Sequence, residues 1–248
     1  MVGILYFSST GNSLQIAKDI KEKLGGKILY IPSYKNDGSE FEKIIIVTPI
    51  YSFGMPTCVY NLLPTLNKTT ELIVVQNYGG MVGGADYLMF EYASELGLNI
   101  KSIYTIKMPE NFTLTFTVPK FYLKQVLKQS KGKIEKVAND ILNGNYTLPK
   151  KKKTKKQLYL KNKSNWHLIG EAFSTNNNCT KCKKCIELCP AKNIYFENNE
   201  IKFSNKCQAC LGCYHRCPNK AIVYKNKNKK SRYINPFINE NEIGKNIE

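Results

Sequence analysis

An α/β fold, a doubly wound five-stranded parallel sheet followed by a small α+β unit, is predicted for this 248-residue chain by three observations. Short apolar runs alternate with helix-period patterns over residues 1–147, as in repeated strand–helix–strand units. A lysine-rich stretch, KKKKTKK at 150–156, then interrupts that pattern. Beyond it the motif C-x2-C-x2-C-x3-C-P occurs twice, as CTKCKKCIELCP (179–190) and CQACLGCYHRCP (207–218). The expected divisions are an α/β domain at 1–147, a solvated basic linker at 148–172, a cysteine-rich unit at 173–225 and a polar, frayed tail at 226–248.

The elements follow in order. VGILYF (2–7) is apolar throughout instead of alternating, so it reads as a strand buried on both faces. A helix begins near Asn12, with Leu14, Ile16, Ala17, Ile20 and Leu24 turned inward and Gly25-Gly26 ending it. KILYI (27–31), KIIIVT (43–48) and ELIVVQ (71–76) are three more buried strands, and NIKSIYTIK (99–107) is the fifth. Helices fit at 57–66, 85–96 and 119–142. The last has Leu123, Val126, Leu127, Ile134, Val137 and Ile141 on one face and Gly144 just beyond its end. Only residues 32–42 separate the second and third strands, room for a single short helix.

Bulk composition narrows the function. A hydrophobic content of 42% supports a buried core, and no apolar run approaches the roughly 20 residues of a membrane span. The start of the chain does not read as a signal peptide, so the expected location is the cytoplasm. Thiols stay reduced there, which makes clustered cysteines metal ligands in preference to disulfides. The net charge is +18, from 37 basic and 19 acidic residues. That balance suits an acidic macromolecule, either a redox protein or a nucleic acid.

Thiolate is the soft donor that iron–sulfur clusters need, and three cysteines spaced by two residues wrap one cluster. In two-cluster proteins the fourth cysteine, before proline, ligates the other cluster. Cluster one is therefore expected on Cys179, Cys182, Cys185 and Cys217, and cluster two on Cys207, Cys210, Cys213 and Cys189. Paired structural zincs are the alternative. The two motifs are one repeat: an offset of 28 (207 − 179) also aligns PAKNI (190–194) with PNKAI (218–222). His215 lies within the second motif, where the thiolate count is already complete. Cys58 stands outside the pattern and reads as a small buried filler.

SSTGNS (8–13) follows the first strand and opens a helix, an arrangement that turns backbone N–H groups and hydroxyls toward an anion. Neither a G-x-x-x-x-G-K-[ST] loop nor a G-x-G-x-x-G fingerprint is present. TPIYSFGMP (48–56) ends the third strand with Tyr51 and Phe53, and QNYGGMVGG (76–84) ends the fourth with Tyr78 and glycines. Three loops at one sheet edge suit a phosphate in the first and a flat aromatic ring between the others.

SSTGNS after ILYF resembles the phosphate loop of flavodoxins, and the cysteine-rich half resembles bacterial two-[4Fe-4S] ferredoxins. With MPENF (108–112) included, the chain as a whole is similar to a family of fused flavodoxin–ferredoxin proteins of anaerobic bacteria. The flavodoxin resemblance implies a flavodoxin-like fold with Ser8, Ser9, Thr10, Gly11, Asn12 and Ser13 around an FMN phosphate. It also implies Pro49, Ile50, Tyr51, Ser52, Phe53 and Gly54 on one side of the isoalloxazine and Asn77, Tyr78, Gly79 and Gly80 on the other. The second loop lacks a tryptophan common in short-chain flavodoxins, and the chain is basic where flavodoxins are typically acidic.

A flavin beside two clusters makes a relay between two-electron and one-electron carriers, with soluble, acidic redox proteins as partners and no specific nucleic acid or membrane. No Ser/His/Asp or paired-carboxylate constellation is present; His167 and His215 are the only histidines. The alternatives are a flavin-dependent reductase of a quinone or nitro compound, with 109–118 as a lid, and a nucleic-acid-binding module with structural clusters.

Overall fold

The computed structural model describes residues 1–115, 117–227 and 231–247. Five strands, β1 (Val2–Tyr6), β2 (Lys27–Tyr30), β3 (Lys43–Pro49), β4 (Glu71–Tyr78) and β5 (Ile100–Lys107), pair in the order β2-β1-β3-β4-β5. Every pairing is parallel. This is the flavodoxin-like order, and its switch point lies where the chain leaves β1 and β3 in opposite directions.

Strand composition follows from burial on both faces. Ile4, Tyr6, Ile45 and Val47 face one core, under α1 (Asn12–Leu24) and α4 (Lys120–Leu142). Leu5, Phe7, Ile44 and Ile46 face the other, under α2 (Thr57–Leu62) and α3 (Ala85–Glu95). Two elements differ slightly from expectation. The second helix stops at Leu62 and tightens into a 3-10 turn over Leu63–Thr65, because Pro64 has no N–H to continue the ladder. The short 32–42 crossover holds only a 3-10 turn at Ile31–Ser33, and buried Phe41 covers the sheet where a helix would lie.

Residues 148–155 are irregular and mostly exposed, as in a solvated linker, but residues 156–172 are not. They fold into α5 (Lys156–Ser164) and α6 (Trp166–Glu171), and Tyr159 and Trp166 are buried in the α2–α3 core. Tyr159 on α5 and Trp166 on α6, either side of the break at Asn165, meet edge-on with ring centres 6.3 Å apart. The lysines spread around them: Lys152 pairs with Asp86 at 2.6 Å, and the Lys155 ammonium lies 4.3 Å from the centre of the Phe53 ring.

The second unit comprises β6 (Phe173–Thr175), α7 (Lys184–Glu187), the hairpin β7 (Ile194–Glu197) and β8 (Glu200–Phe203), α8 (Gly212–His215), and β9 (Ile222–Tyr224) antiparallel to β6. Its repeat extends to the backbone. Lys181, Lys183 and Lys192 have positive φ, and so do Ala209, Leu211 and Lys220, each 28 residues later.

Nor is the described part of the tail frayed. Residues 231–247 return to the α/β domain, burying Tyr233, Asn235, Ile238 and Ile243. Ile247 and Ile28 exchange backbone hydrogen bonds at the β2 edge, and the Tyr6 hydroxyl donates to the Lys245 carbonyl at 2.9 Å. Glu240 accepts from Lys184 at 2.7 Å and Glu242 pairs with Lys18, so the tail binds both units. Its polar composition concealed apolar anchors spaced five residues apart (233, 238, 243). Among the described residues, no helix is long and apolar enough to cross a membrane.

Candidate functional site

The loop after β1 is held by residues distant in sequence. Gly11 takes φ +95° at the start of α1, a left-handed conformation that suits glycine, and its N–H donates to Ser8 Oγ at 3.0 Å. Asn77 Nδ2 donates to Ser13 Oγ at 2.7 Å, and Asn12 Nδ2 to the Pro109 carbonyl at 2.9 Å. Asn111 Nδ2 reaches Thr10 Oγ1 at 3.2 Å. The tail completes the brace: the Tyr233 hydroxyl and Asn235 Nδ2 both donate to Asn12 Oδ1, at 2.7 and 3.2 Å.

The crevice this creates is lined by Ser8, Ser9, Thr10, Asn12 and Ser13 from the first loop, Pro49, Ile50 and Tyr51 from the second, and Asn77, Tyr78 and Gly79 from the third. The 109–111 segment closes its remaining side. Gly11 lies behind it, against Asn235 and Ile238 of the tail. Ser52 lines a neighbouring cavity. Gly80 lies one residue past the crevice wall, opposite Glu110. Phe53 and Gly54 belong elsewhere. Phe53 is sandwiched between Gly83 and Lys155, and Gly54 lies directly under the Tyr159 ring, where any Cβ would collide.

A cavity of about 460 Å³ adjoins the crevice through Ile50, Tyr51, Glu110 and Asn111. Its other walls are Phe112, Asn162, Asn165, Trp166, Ile169 and Ala209. Tyr51 and Trp166 meet edge-to-face, with ring centres 6.3 Å apart at 87°. Trp166 was missed in the sequence, where it lay in a stretch taken as linker. As the only tryptophan, seven residues after Tyr159, it carried a readable signal. Its indole, on α6, lies against Tyr51 of the 49–54 loop.

The eight motif cysteines sort as their spacing predicts. Cys179, Cys182, Cys185 and Cys217 line one small cavity; Cys189, Cys207, Cys210 and Cys213 line a second. Burial, then the nearby Cys217, Cys179 and Cys182, pushes the Cys185 thiol up to about 11. Burial likewise pushes Cys210 up to about 12 and Cys213 well above its ordinary range. A cation bound among thiols crowded this way would displace their protons. Backbone N–H groups point at the sulfurs: Asn193 at Cys189 and Ala221 at Cys217, both 3.2 Å. Soft donors in fours around a cavity, with N–H···S bonds, fit [4Fe–4S] clusters.

His215 faces away from the thiols. Its Nδ1 accepts from the Tyr233 N–H at 3.1 Å, which leaves the proton on Nε2 to donate to the Asn111 carbonyl at 2.7 Å. Burial pushes its pKa down to about 4. Cys58 is half-buried against the α2–α3 core, near Cys210, and burial pushes its thiol up.

Comparison with known proteins agrees with this division. Residues 172–218 match the family model described as 4Fe-4S dicluster domain. No curated protein matches the chain. The two-electron reduced flavodoxin of Megasphaera elsdenii aligns at 19% identity over 42% of this chain and 85% of its own, with a TM-score of 0.37. A flavodoxin from the domain Archaea aligns at 17% over 55% and 97%, TM-score 0.37. A Lactobacillus acidophilus flavoprotein in complex with FMN aligns at 19% over 42% and 91%, TM-score 0.36. The chain thus combines a flavodoxin-like parallel sheet, in the order β2-β1-β3-β4-β5, with a following segment that matches the 4Fe-4S dicluster model.

Proposed function

We propose that this chain is an electron-transfer iron–sulfur flavoprotein of the cytoplasm, holding FMN and two [4Fe–4S] clusters and exchanging electrons with an acidic, soluble redox protein. One observation carries this reading. Ala209 is both a wall of the Tyr51–Trp166 cavity and the immediate neighbour of the cluster ligand Cys210.

When bound, the flavin supplies two-electron chemistry that can be divided into single electrons, and each cluster passes one. The chain's own residues do the holding. Backbone N–H groups at the start of α1, with the Ser8–Ser13 side chains, suit a phosphate, and the first turn of α1 carries no acidic residue to oppose it. Tyr51 and Trp166 suit a flat ring, while Phe112 and Ile169 keep water from it.

Onward transfer is supported by the cysteines. Cys213 of one set lies within electrostatic reach of Cys185 of the other, and Cys182, in that second set, is the exposed thiol. Exposed Lys181 and Lys183 flank it, and the Lys183 ammonium lies 4.5 Å from the centre of the half-exposed Phe196 ring. A basic rim with aromatic area beside the exposed cluster suits a negatively charged partner. The engagement of Lys152 and Lys155 with Asp86 and Phe53 counts against the basic run as a phosphate-binding arm.

The test is iron, acid-labile sulfide and flavin per chain on anaerobically purified protein, with about eight, eight and one expected. Zinc in place of iron, or full iron without flavin, overturns the reading. Steady NAD(P)H-driven turnover of a quinone without added ferredoxin assigns the protein to the reductases instead.

A further inference from the structure

Two guanidinium groups lie close to the cysteine motifs, and they are treated differently. Arg216 has a carboxylate: its Nε is 3.5 Å from Glu240, and Nη2 donates to the Glu240 carbonyl at 2.8 Å. Arg232 has none. Its Nη2 donates to the carbonyl oxygens of Lys220 and Ile222, at 2.9 and 2.8 Å, and its guanidinium carbon sits 4.1 Å from the centre of the Tyr214 ring. Nε and Nη1 are sealed from solvent without a hydrogen-bond partner. Among the described residues, no acidic group forms an ion pair with it.

A half-buried guanidinium with two unpartnered nitrogens and no anion is costly, and a negative group nearby offsets that cost. The position of Arg232 identifies what that is. Tyr214 follows Cys213, a ligand of cluster two, and the Lys220 and Ile222 carbonyls lie just after Cys217, a ligand of cluster one. The guanidinium is clamped between these two segments, and both thiols are within its electrostatic reach. Each oxidised [4Fe–4S] cluster with four thiolates carries about −2.

We infer that Arg232 is the shared counter-charge of the two clusters, a positioning residue that raises the reduction potential of both. The inference rests on the cluster assignment above. Reduction adds one electron to each cluster and makes it more negative, so a fixed cation nearby favours the reduced form. At the short range and modest dielectric of this site, one charge is worth roughly a tenfold shift in the oxidised-to-reduced ratio, about 59 mV for a one-electron couple.

The experiment is an anaerobic redox titration of the holoprotein with dithionite, following the clusters by electron paramagnetic resonance and the flavin by absorbance. In R232Q both cluster potentials are expected to fall by about the amount above, with the flavin potential unchanged. R232K, which keeps the charge, is expected to stay within about threefold of wild type. Unchanged potentials in a fully loaded R232Q overturn the inference, as do equal shifts in R232Q and R232K, which point to packing alone. If R232Q loses its clusters, retention by R232K supports the charge role, and loss from both counts against it. Iron and sulfide are measured on the same samples, so wild-type protein without clusters indicts the functional reading and not Arg232.

Discussion

His215 and Asn111, 104 residues apart, meet through a 2.7 Å hydrogen bond from the imidazole to a backbone oxygen. One stands between Cys213 and Cys217 and the other walls the Tyr51–Trp166 cavity, so the bond ties these two regions together. His215→Leu leaves the Asn111 carbonyl and the Tyr233 N–H buried and unpaired, at about 1–3 kcal/mol each. The expected outcome is a lower unfolding midpoint and slower flavin-to-cluster transfer, read by visible circular dichroism during heating and by stopped flow. Unaltered values in both would show the bond to be dispensable.

Trp166→Ala empties one wall of the 460 Å³ cavity. FMN affinity should fall at least tenfold, and stability by about 3–5 kcal/mol, the usual cost of truncating a buried aromatic. Trp166→Phe should recover most of both. Fluorescence titration of apo-protein with FMN measures the first, and urea unfolding the second.

Gly54→Val drives its side chain into the Tyr159 ring and should cost about 1–3 kcal/mol through overpacking. Pairing it with Tyr159→Ala should recover part of that loss, a non-additivity that a double-mutant cycle detects. Strict additivity would mean that the two positions do not touch.

Asn235 is fully buried and donates to Gln15 Oε1 at 2.7 Å as well as to Asn12. Asn235→Leu should weaken FMN binding although the residue lines neither cavity, because it loosens the loop that begins at Ser8. FMN affinity equal to wild type would separate the tail from the phosphate site.

Cys182→Ser and Cys210→Ser should each leave about four iron, but with different consequences. The first removes the exposed cluster and spares flavin-to-cluster transfer. The second removes the cluster beside Ala209 and isolates the flavin from the remaining one. Single-turnover photoreduction with iron counting distinguishes them.

The α/β domain was legible because its signals are local. Continuous apolar strands, SSTGNS at a helix start and glycine at helix ends each carry their meaning within a few residues, and the spacing of the cysteines matches the two groups that line the two small cavities. Trp166 and Asn235 were not legible, since lysines surround the first and polar residues the second, and burial of either depends on what the chain returns to. Phe53 misled in the opposite sense. An aromatic in the right loop suggested a ring contact, but its backbone φ of +71° turns it toward Lys155.

The path of the backbone gives the two-cluster unit an unusual status. The chain leaves the sheet domain after α6, whose Trp166 is still in the α2–α3 core, and returns to it from residue 231, with Ile247 beside β2. The unit is therefore moored at both ends, like an insertion in a host fold and unlike a bead on a string. A bead can swing away and return, and its transfer rate is then set by how often it docks. A doubly moored unit has no such freedom until residues 231–247 peel off, so the flavin-to-cluster rate should be indifferent to solvent viscosity. Under the proposed function, diffusion would enter only where an outside redox protein meets the rim around Cys182.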